Sequence, residues 1–276
     1  MIPAIGYAVR PHQHIVLDDS VINAAEITID RPDVPLRVGR YLSECCFDHV
    51  SLHSAKLSLA GGGEPSRKVL EDLREIAYQN NAETISDHLG ALRTTPGRSA
   101  DQWYLPPSLT SSVLTQTCRQ IETVQHFFRD RRFFVESVAY LGMSDGSMSE
   151  AEFVRQVLRS TGCGWLLDLT TLNANAVNSG FDAFEFLSEV LPDADRIQLH
   201  LSGGYAESQT GLFTKSSSHP IPDAVWSLYR ATLEQADSKI SAVYLERDQD
   251  GLDEDCWRGE VSRVRTMAEQ PDAASV

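Results

Sequence analysis

Four short apolar runs in this 276-residue chain close on a side chain able to bind a metal. They are ETISDH at 83–88, FFVES at 133–137, GWLLD at 164–168 and RIQLH at 196–200. An apolar run of that length reads as a buried strand, and a polar residue near its end marks the strand's carboxyl edge. Histidine, aspartate and glutamate gathered at one such edge would suit a divalent transition metal such as iron, manganese or zinc. Glu136 is the strongest single candidate, because a carboxylate that closes an apolar run is costly to bury unless it is paired or metal-bound. Asp168 closes its run in the same way, with a helix N-cap or Asx turn as its structural alternative. His200 closes RIQLH and His53, in SLHSAKL, ends one further run, although a lone histidine on a strand is more often structural. Asp87 and His88 are adjacent and so face opposite sides of their strand; one can enter a shared mouth while the other braces the wall. Glu246 and Asp248 alternate with Arg247 at the last run, where a surface turn is the bland reading. No thiolate accompanies these groups, which disfavours an iron–sulfur cluster or a structural zinc site.

The elements that must position these residues alternate along the chain. Strands are expected at 5–9, 25–30, 49–53, 83–88, 133–137, 164–169, 197–201 and 242–248. Helices are expected at 36–45, 66–80, 111–128, from Ser149 onward, and at 181–191, 222–236 and 254–268. Val69, Leu70, Leu73, Ile76 and Ala77 share one helical face. Ser149 followed by Glu152 has the form of a capping box, and Pro222 suits a first helical turn. Alternation throughout favours a parallel sheet, and eight repeats in about 250 residues favour one α/β domain, a (β/α)8 TIM barrel over 1–276 with a frayed tail at 270–276. The barrel reading brings the strand ends to one mouth. A doubly wound open sheet is the runner-up, disfavoured because no G-x-G-x-x-G follows the first strand. Gly61-Gly62-Gly63 lacks a following G-K-[ST] and reads as a turn.

Composition narrows the partners. Twenty-four basic against 39 acidic residues give a net charge of −15, and 42% of residues are hydrophobic. An acidic surface repels phosphate backbones, so nucleic acid is not an expected partner. Five cysteines, Cys45, Cys46, Cys118, Cys163 and Cys256, form no C-x-x-C pair and suggest a reducing compartment, the cytoplasm. Cys163 reads as a small core residue. The first residues carry no secretory pattern, and no apolar stretch approaches the ~18 residues that cross a bilayer.

Read together, the runs resemble the multinuclear non-heme iron-dependent oxidases, a family with xylose-isomerase-type barrels. SLHSAKLSLAGG is similar to the family's L-H-G-x-x-L-S-L-G, ISDHL to S-D-H-L, and FFVESVAYL to L-L-x-E-N-x-x-x-Y. The stretch from MSEAEF through TGCGWLLDLTTLNANAVNSGFD resembles M-x-E-x-E-F…T-G-C-G-L-L-L-D-x-N-N…N-x-G-x-D. IQLHLSGG resembles I-H-L-A-G-H, and YLERDQD resembles I-E-W-D. Order and spacing together carry the likeness, which covers most of the chain.

The resemblance implies an O₂-dependent iron oxidase acting on a ribosomally made precursor peptide, often at cysteine, together with a small peptide-recognition partner. It implies one iron near His53, His88 and Glu136, with Glu136 bridging to a second at Asp168, His200 and Glu246. Asp87, Glu136 and His200 are then the expected catalytic residues, Asp87 through a hydrogen bond that holds His88. Departures are equally specific. Thr170 stands for the family's asparagine, Ser137 for the asparagine after its glutamate, and Gly204 for a second histidine. Lys215 and Ser217 stand where a D-x-H ligand pair would fall. A lysine cation there opposes a third iron, with His219 or Asp248 as substitutes if the register is displaced. Two rivals follow from the same residues: a metal-dependent isomerase or hydrolase on the barrel, and a non-catalytic peptide-binding scaffold.

Overall fold

The computed structural model describes residues 2–9, 22–29, 47–95, 98–141, 146–247 and 254–270. The helix expected at 36–45, Cys45, Cys46, Asp248 and the tail beyond Gln270 lie outside the described residues. Eight parallel strands close into a barrel: β1 (Ala4–Val9), β2 (Ala24–Ile29), β3 (His49–Ser54), β4 (Thr84–His88), β7 (Arg132–Glu136), β8 (Gly164–Asp168), β9 (Ile197–Ser202) and β12 (Ile240–Glu246). Each corresponds to an expected strand. Two hairpins interrupt the alternation. One is β5 (Ala91–Thr95) with β6 (Arg98–Leu105), and the other is β10 (Gly204–Ala206) with β11 (Phe213–Lys215). Helices α1 (Arg67–Gln79), α2 (Ser111–Phe127), α3 (Glu150–Thr161), α4 (Leu169–Ser179), α5 (Ala183–Val190), α6 (Asp223–Ala236) and α7 (Glu254–Glu269) complete the described elements.

The strands divide their residues by parity, because successive side chains point to opposite faces. Ile27, Leu52, Ile85, Phe133, Val135, Trp165, Leu167, Leu199 and Val243 face the helices and belong to one continuous apolar core. The alternate positions turn toward the barrel axis and are largely polar. Gln198 Nε2 reaches Thr84 Oγ1 at 3.0 Å and His49 Nε2 at 3.2 Å across the floor. Phe134 fills space over Gly164, where an added Cβ would sit 2.4 Å from the ring. The runs therefore read as apolar in sequence while most of them still deliver a polar side chain to the interior.

Local signals fix the helix starts. Ser149 Oγ accepts from Glu152 N at 3.1 Å, the first half of the expected capping box. Pro222 is the residue before α6, one position outside the first turn. Helix α4 was not among the expected helices; it begins directly after β8, and Leu169 through Ala176 are all buried. No helix among the described residues is long and apolar enough to cross a membrane.

Candidate metal centre at the barrel mouth

Parallel register sets the carboxyl ends side by side. His88 pairs with Glu136, Asp168 with His200, and Glu246 with Ser202, two residues beyond His200. The side chains converge. Ligand atoms of His53, His88 and Glu136 lie within 4.8 Å of one another, as do those of Glu136, Asp168 and His200. Glu136 is common to both groups. Its Oε2 lies 3.4 Å from His53 Nε2 and 3.3 Å from His88 Nε2, and its Oε1 lies 3.3 Å from His200 Nδ1.

Each histidine is aimed by a different device. His53 Nδ1 meets Ser86 Oγ at 2.9 Å, which leaves Nε2 toward Glu136. His88 stacks on Tyr104 of the β5–β6 hairpin at 4.5 Å between ring centres. The Tyr104 hydroxyl is in reach of Asp87 Oδ1 at 2.9 Å and the Leu57 carbonyl at 2.8 Å. His200 Nε2 donates to Glu26 Oε1 at 2.8 Å, and Ser51 Oγ donates to Glu26 Oε2 at 3.4 Å. Glu26 was not singled out from sequence, yet it is fully buried inside β2. The signal was present, since Ala24-Ala25-Glu26-Ile27 sets a carboxylate within an apolar run.

Asp87 differs from expectation in its contacts. Its Oδ2 accepts from the backbone N–H groups of Lys56 at 3.2 Å and Leu57 at 2.9 Å. Its Oδ1 accepts from its neighbour's backbone, His88 N, at 2.7 Å and makes no bond to the His88 ring. Because adjacent strand residues diverge, Asp87 ties down the β3–α1 loop and Tyr104, and bears on the His88 ring only through that stacked tyrosine, its direct bond being to the His88 backbone. Burial, only partly offset by the Leu57 N–H and the other donors, pushes its carboxyl up to about 6.

Asp168 takes its structural alternative. It is the N-cap of α4: Oδ1 accepts from Thr170 N and Thr171 N, each at 2.8 Å. Oδ2 accepts from Thr171 Oγ1 at 2.9 Å and from Lys215 Nζ. Lys215 Nζ also lies 2.5 Å from Glu246 Oε2, and Glu246 Oε1 is 3.7 Å from His200 Nδ1. Ser217 Oγ is 3.4 Å from Ser202 Oγ. His219 stands apart, its Nδ1 on Ser216 Oγ at 2.8 Å and its ring beside Tyr205. Thr170 Oγ1 bridges the Ser202 backbone, donating to its carbonyl at 2.8 Å and accepting from its N–H at 2.9 Å.

Electrostatics sort the groups. Burial, against the pull of Glu136, lowers His88 to about 4, so its ring is neutral at pH 7 and free to ligate. Burial opposes charge on His200, but Glu26, Glu246 and Glu136 outweigh it and hold its pKa well above the usual value. Burial likewise opposes the Lys215 ammonium, and Asp168, Glu246 and Glu136 hold it charged. Glu246 is held at about 2, burial being overcome by Lys215 and His200.

The first group fits a cation on its own structure. Glu136 Oε2 is buried with no hydrogen-bond partner, and two histidine Nε2 atoms face it. An orphaned buried carboxylate oxygen is expensive unless something positive binds it. An all-nitrogen-and-oxygen donor set matches ferrous iron, manganese or zinc.

Comparison with known proteins agrees with this architecture. A UPF0276 protein of Chromobacterium violaceum is 29% identical over 215 residues, covering 78% of this chain and 75% of its own. A UPF0276 protein of Rhizorhabdus wittichii is 32% identical over 204 residues, covering 73% and 69%. Among solved structures, a xylose isomerase domain-containing protein from Salmonella typhimurium superposes with a TM-score of 0.58 at 16% identity, over 98% of this chain and 96% of that one. A D-psicose 3-epimerase from Clostridium cellulolyticum gives 0.57 at 9% identity, over 96% and 98%. These two likenesses establish the barrel fold alone. The family model described as RiPP precursor modification enzyme MbnB/TglH/ChrH matches residues 36–269, and with the barrel and its mouth as described, this chain belongs to that family.

Proposed function

We propose that this chain is an iron-dependent oxidase that uses O₂ to modify a residue, often cysteine in the related enzymes, of a ribosomally synthesised precursor peptide. The observation that carries the reading is the Glu136 carboxylate, buried and facing His53 Nε2 and His88 Nε2, in a member of a family of RiPP precursor modification enzymes. Iron held there supplies the one-electron chemistry that no protein side chain provides at an unactivated carbon. In this reading the chain's own residues do the positioning. Ser86 holds the His53 ring by its Nδ1, Tyr104 fixes the plane of His88, and Glu26 fixes His200 beside Glu136. Orienting contacts of this kind raise ligand basicity and hold ring geometry. O₂ is the oxidant and takes up the electrons and hydrogen that the peptide loses. A small partner that presents the peptide is part of the same reading. So is a reducing cytoplasm, in which Cys118 and Cys163 remain thiols.

The test is co-expression with short peptides encoded beside the gene, purification without oxygen, iron quantification and mass spectrometry of the peptides before and after O₂. Bound iron and an O₂-dependent mass change are expected. A protein free of iron, with every candidate peptide unchanged, would end the reading. Oxygen-independent turnover with manganese or zinc would replace it with an isomerase or hydrolase, a reaction class that shared barrel architecture neither assigns nor excludes.

A further inference from the structure

We propose that the ammonium of Lys215 occupies the second cation position of this site, so that the chain holds one metal ion, at His53, His88 and Glu136, where two ligand groups would otherwise take two. The inference rests on the reading of the first group as a metal site. It starts from the second group, Glu136, Asp168 and His200. Asp168 has no oxygen left to give. Oδ1 already accepts two backbone N–H groups, and Oδ2 accepts Thr171 Oγ1 and Lys215 Nζ. Glu246, the remaining acid on that side, has Oε2 2.5 Å from the same nitrogen. The ammonium thus lies between Asp168 and Glu246 and takes the oxygen that Asp168 would offer to a second ion. Two cations sharing such a small, poorly solvated space repel strongly.

Lys215 is held there by the fold. It ends β11, paired with Gly204 across the hairpin. Asn178 of α4 clamps the hairpin, its Oδ1 accepting from Phe213 N at 2.7 Å and its Nδ2 donating to Phe213 O at 3.0 Å. The stem closes where Ser216 N donates to Gly203 O at 2.9 Å. A Cβ on Gly203 would fall 1.7 Å from the His219 carbonyl oxygen, so only glycine admits this approach. A lysine delivered by a fixed hairpin gives Asp168 and Glu246 a permanent counter-charge and leaves Glu136 with one exchangeable cation to bind.

Metal stoichiometry tests this without reference to activity. Wild-type protein, Lys215→Ala and Lys215→Met are saturated anaerobically with Fe(II), desalted and measured for iron per chain; parallel Mn(II) samples are read by electron paramagnetic resonance. Wild type is expected to retain one ion and give an uncoupled Mn(II) signal. At least one variant is expected to retain a second ion and give an exchange-coupled pair. Two ions in wild type would overturn the inference while leaving the oxidase reading intact, and this measurement needs no variant to fold. Variants that fold, by circular dichroism, yet retain a single ion would overturn the role given to Lys215. One ion in wild type and two in a variant, with no peptide modified, would support the inference and count against the oxidase.

Discussion

His200 donates through Nε2 to Glu26 Oε1 at 2.8 Å, and both side chains are completely buried. A carboxylate oxygen only accepts, so Nε2 carries a proton and Nδ1 is the nitrogen turned toward Glu136 and Glu246. The pair decides which face of the imidazole the mouth sees.

Glu26→Ala should therefore destabilise the metal-free protein by about 3–5 kcal/mol, the range for breaking a buried ion pair and leaving one partner uncompensated. Glu26→Gln keeps an acceptor and should lose less. The pH dependence has a definite sign. His200 is raised above its ordinary 6.5, so the stability it contributes is fully present below that pH and fades as pH rises through the folded-state value. Urea unfolding of wild type and Glu26→Ala at several pH values should show a gap that is widest in mild acid and narrows in alkali. A gap independent of pH would mean that Glu26 acts by packing alone.

Glu136 is the one side chain common to both ligand groups. Glu136→Ala should abolish tight metal binding altogether. His53→Ala and His88→Ala should each weaken it by at least the 10–100-fold typical of losing a supporting contact, since here a ligand itself is removed. Titration with Fe(II) or Co(II) under anaerobic conditions measures the affinity, and circular dichroism checks the fold. Retention of full affinity by His53→Ala or His88→Ala would displace the proposed site.

All eight barrel strands could be read from sequence because each is buried on its helix-facing side, and the six from His49–Ser54 onward also end in a polar residue; ETISDH and FFVES show both features in a few letters. The residues that orient the site were harder to see. Glu26 lies inside a strand rather than at its end, outside the pattern that marks the rim. Tyr104 reaches the mouth from the hairpin Ala91–Thr95 and Arg98–Leu105, which has no apolar run to announce it and which was not expected within a strand-and-helix alternation. Helix Leu169–Ser179 is buried on so many sides that LTTLNANAVNS shows no amphipathic period. Lys215 stands out in the sequence as a cation at odds with a ligand position. Its actual partners, Asp168 and Glu246, are 47 and 31 positions away, and only the closed barrel brings them together.

The acid limb of stability should depend on Lys215. Glu246 is held at about 2, burial being outweighed by Lys215 and His200. A carboxylate lowered in this way contributes stability that is complete above its ordinary 4.5 and is lost as pH falls from there toward 2. Lys215→Met removes the partner. Metal-free Lys215→Met should then unfold at a higher pH than wild type in an acid titration followed by tryptophan fluorescence, and should lose up to about 3–5 kcal/mol at neutral pH because the buried Asp168 and the part-buried Glu246 are left without their cation. An unchanged acid midpoint would show that solvent, and not the ammonium, stabilises Glu246.

Tyr104 gives the most direct check on how the ligands are oriented. His88 Nδ1 is buried without a hydrogen-bond partner, so the ring plane depends on the stack against Tyr104. The hydroxyl ties that stack to Asp87 and the Leu57 carbonyl. Tyr104→Phe keeps the stacked face and removes only the tether, leaving two buried acceptors one donor short, at about 1–3 kcal/mol. Tyr104→Ala removes the stacked face as well. Thermal unfolding should rank wild type above Phe and Phe above Ala. Metal affinity should fall modestly for Phe and more steeply for Ala, because losing orientation at one of three donors weakens binding without deleting a ligand. Equal affinity in all three proteins would show that His88 is positioned by its strand alone and that Tyr104 serves only the loop above Asp87.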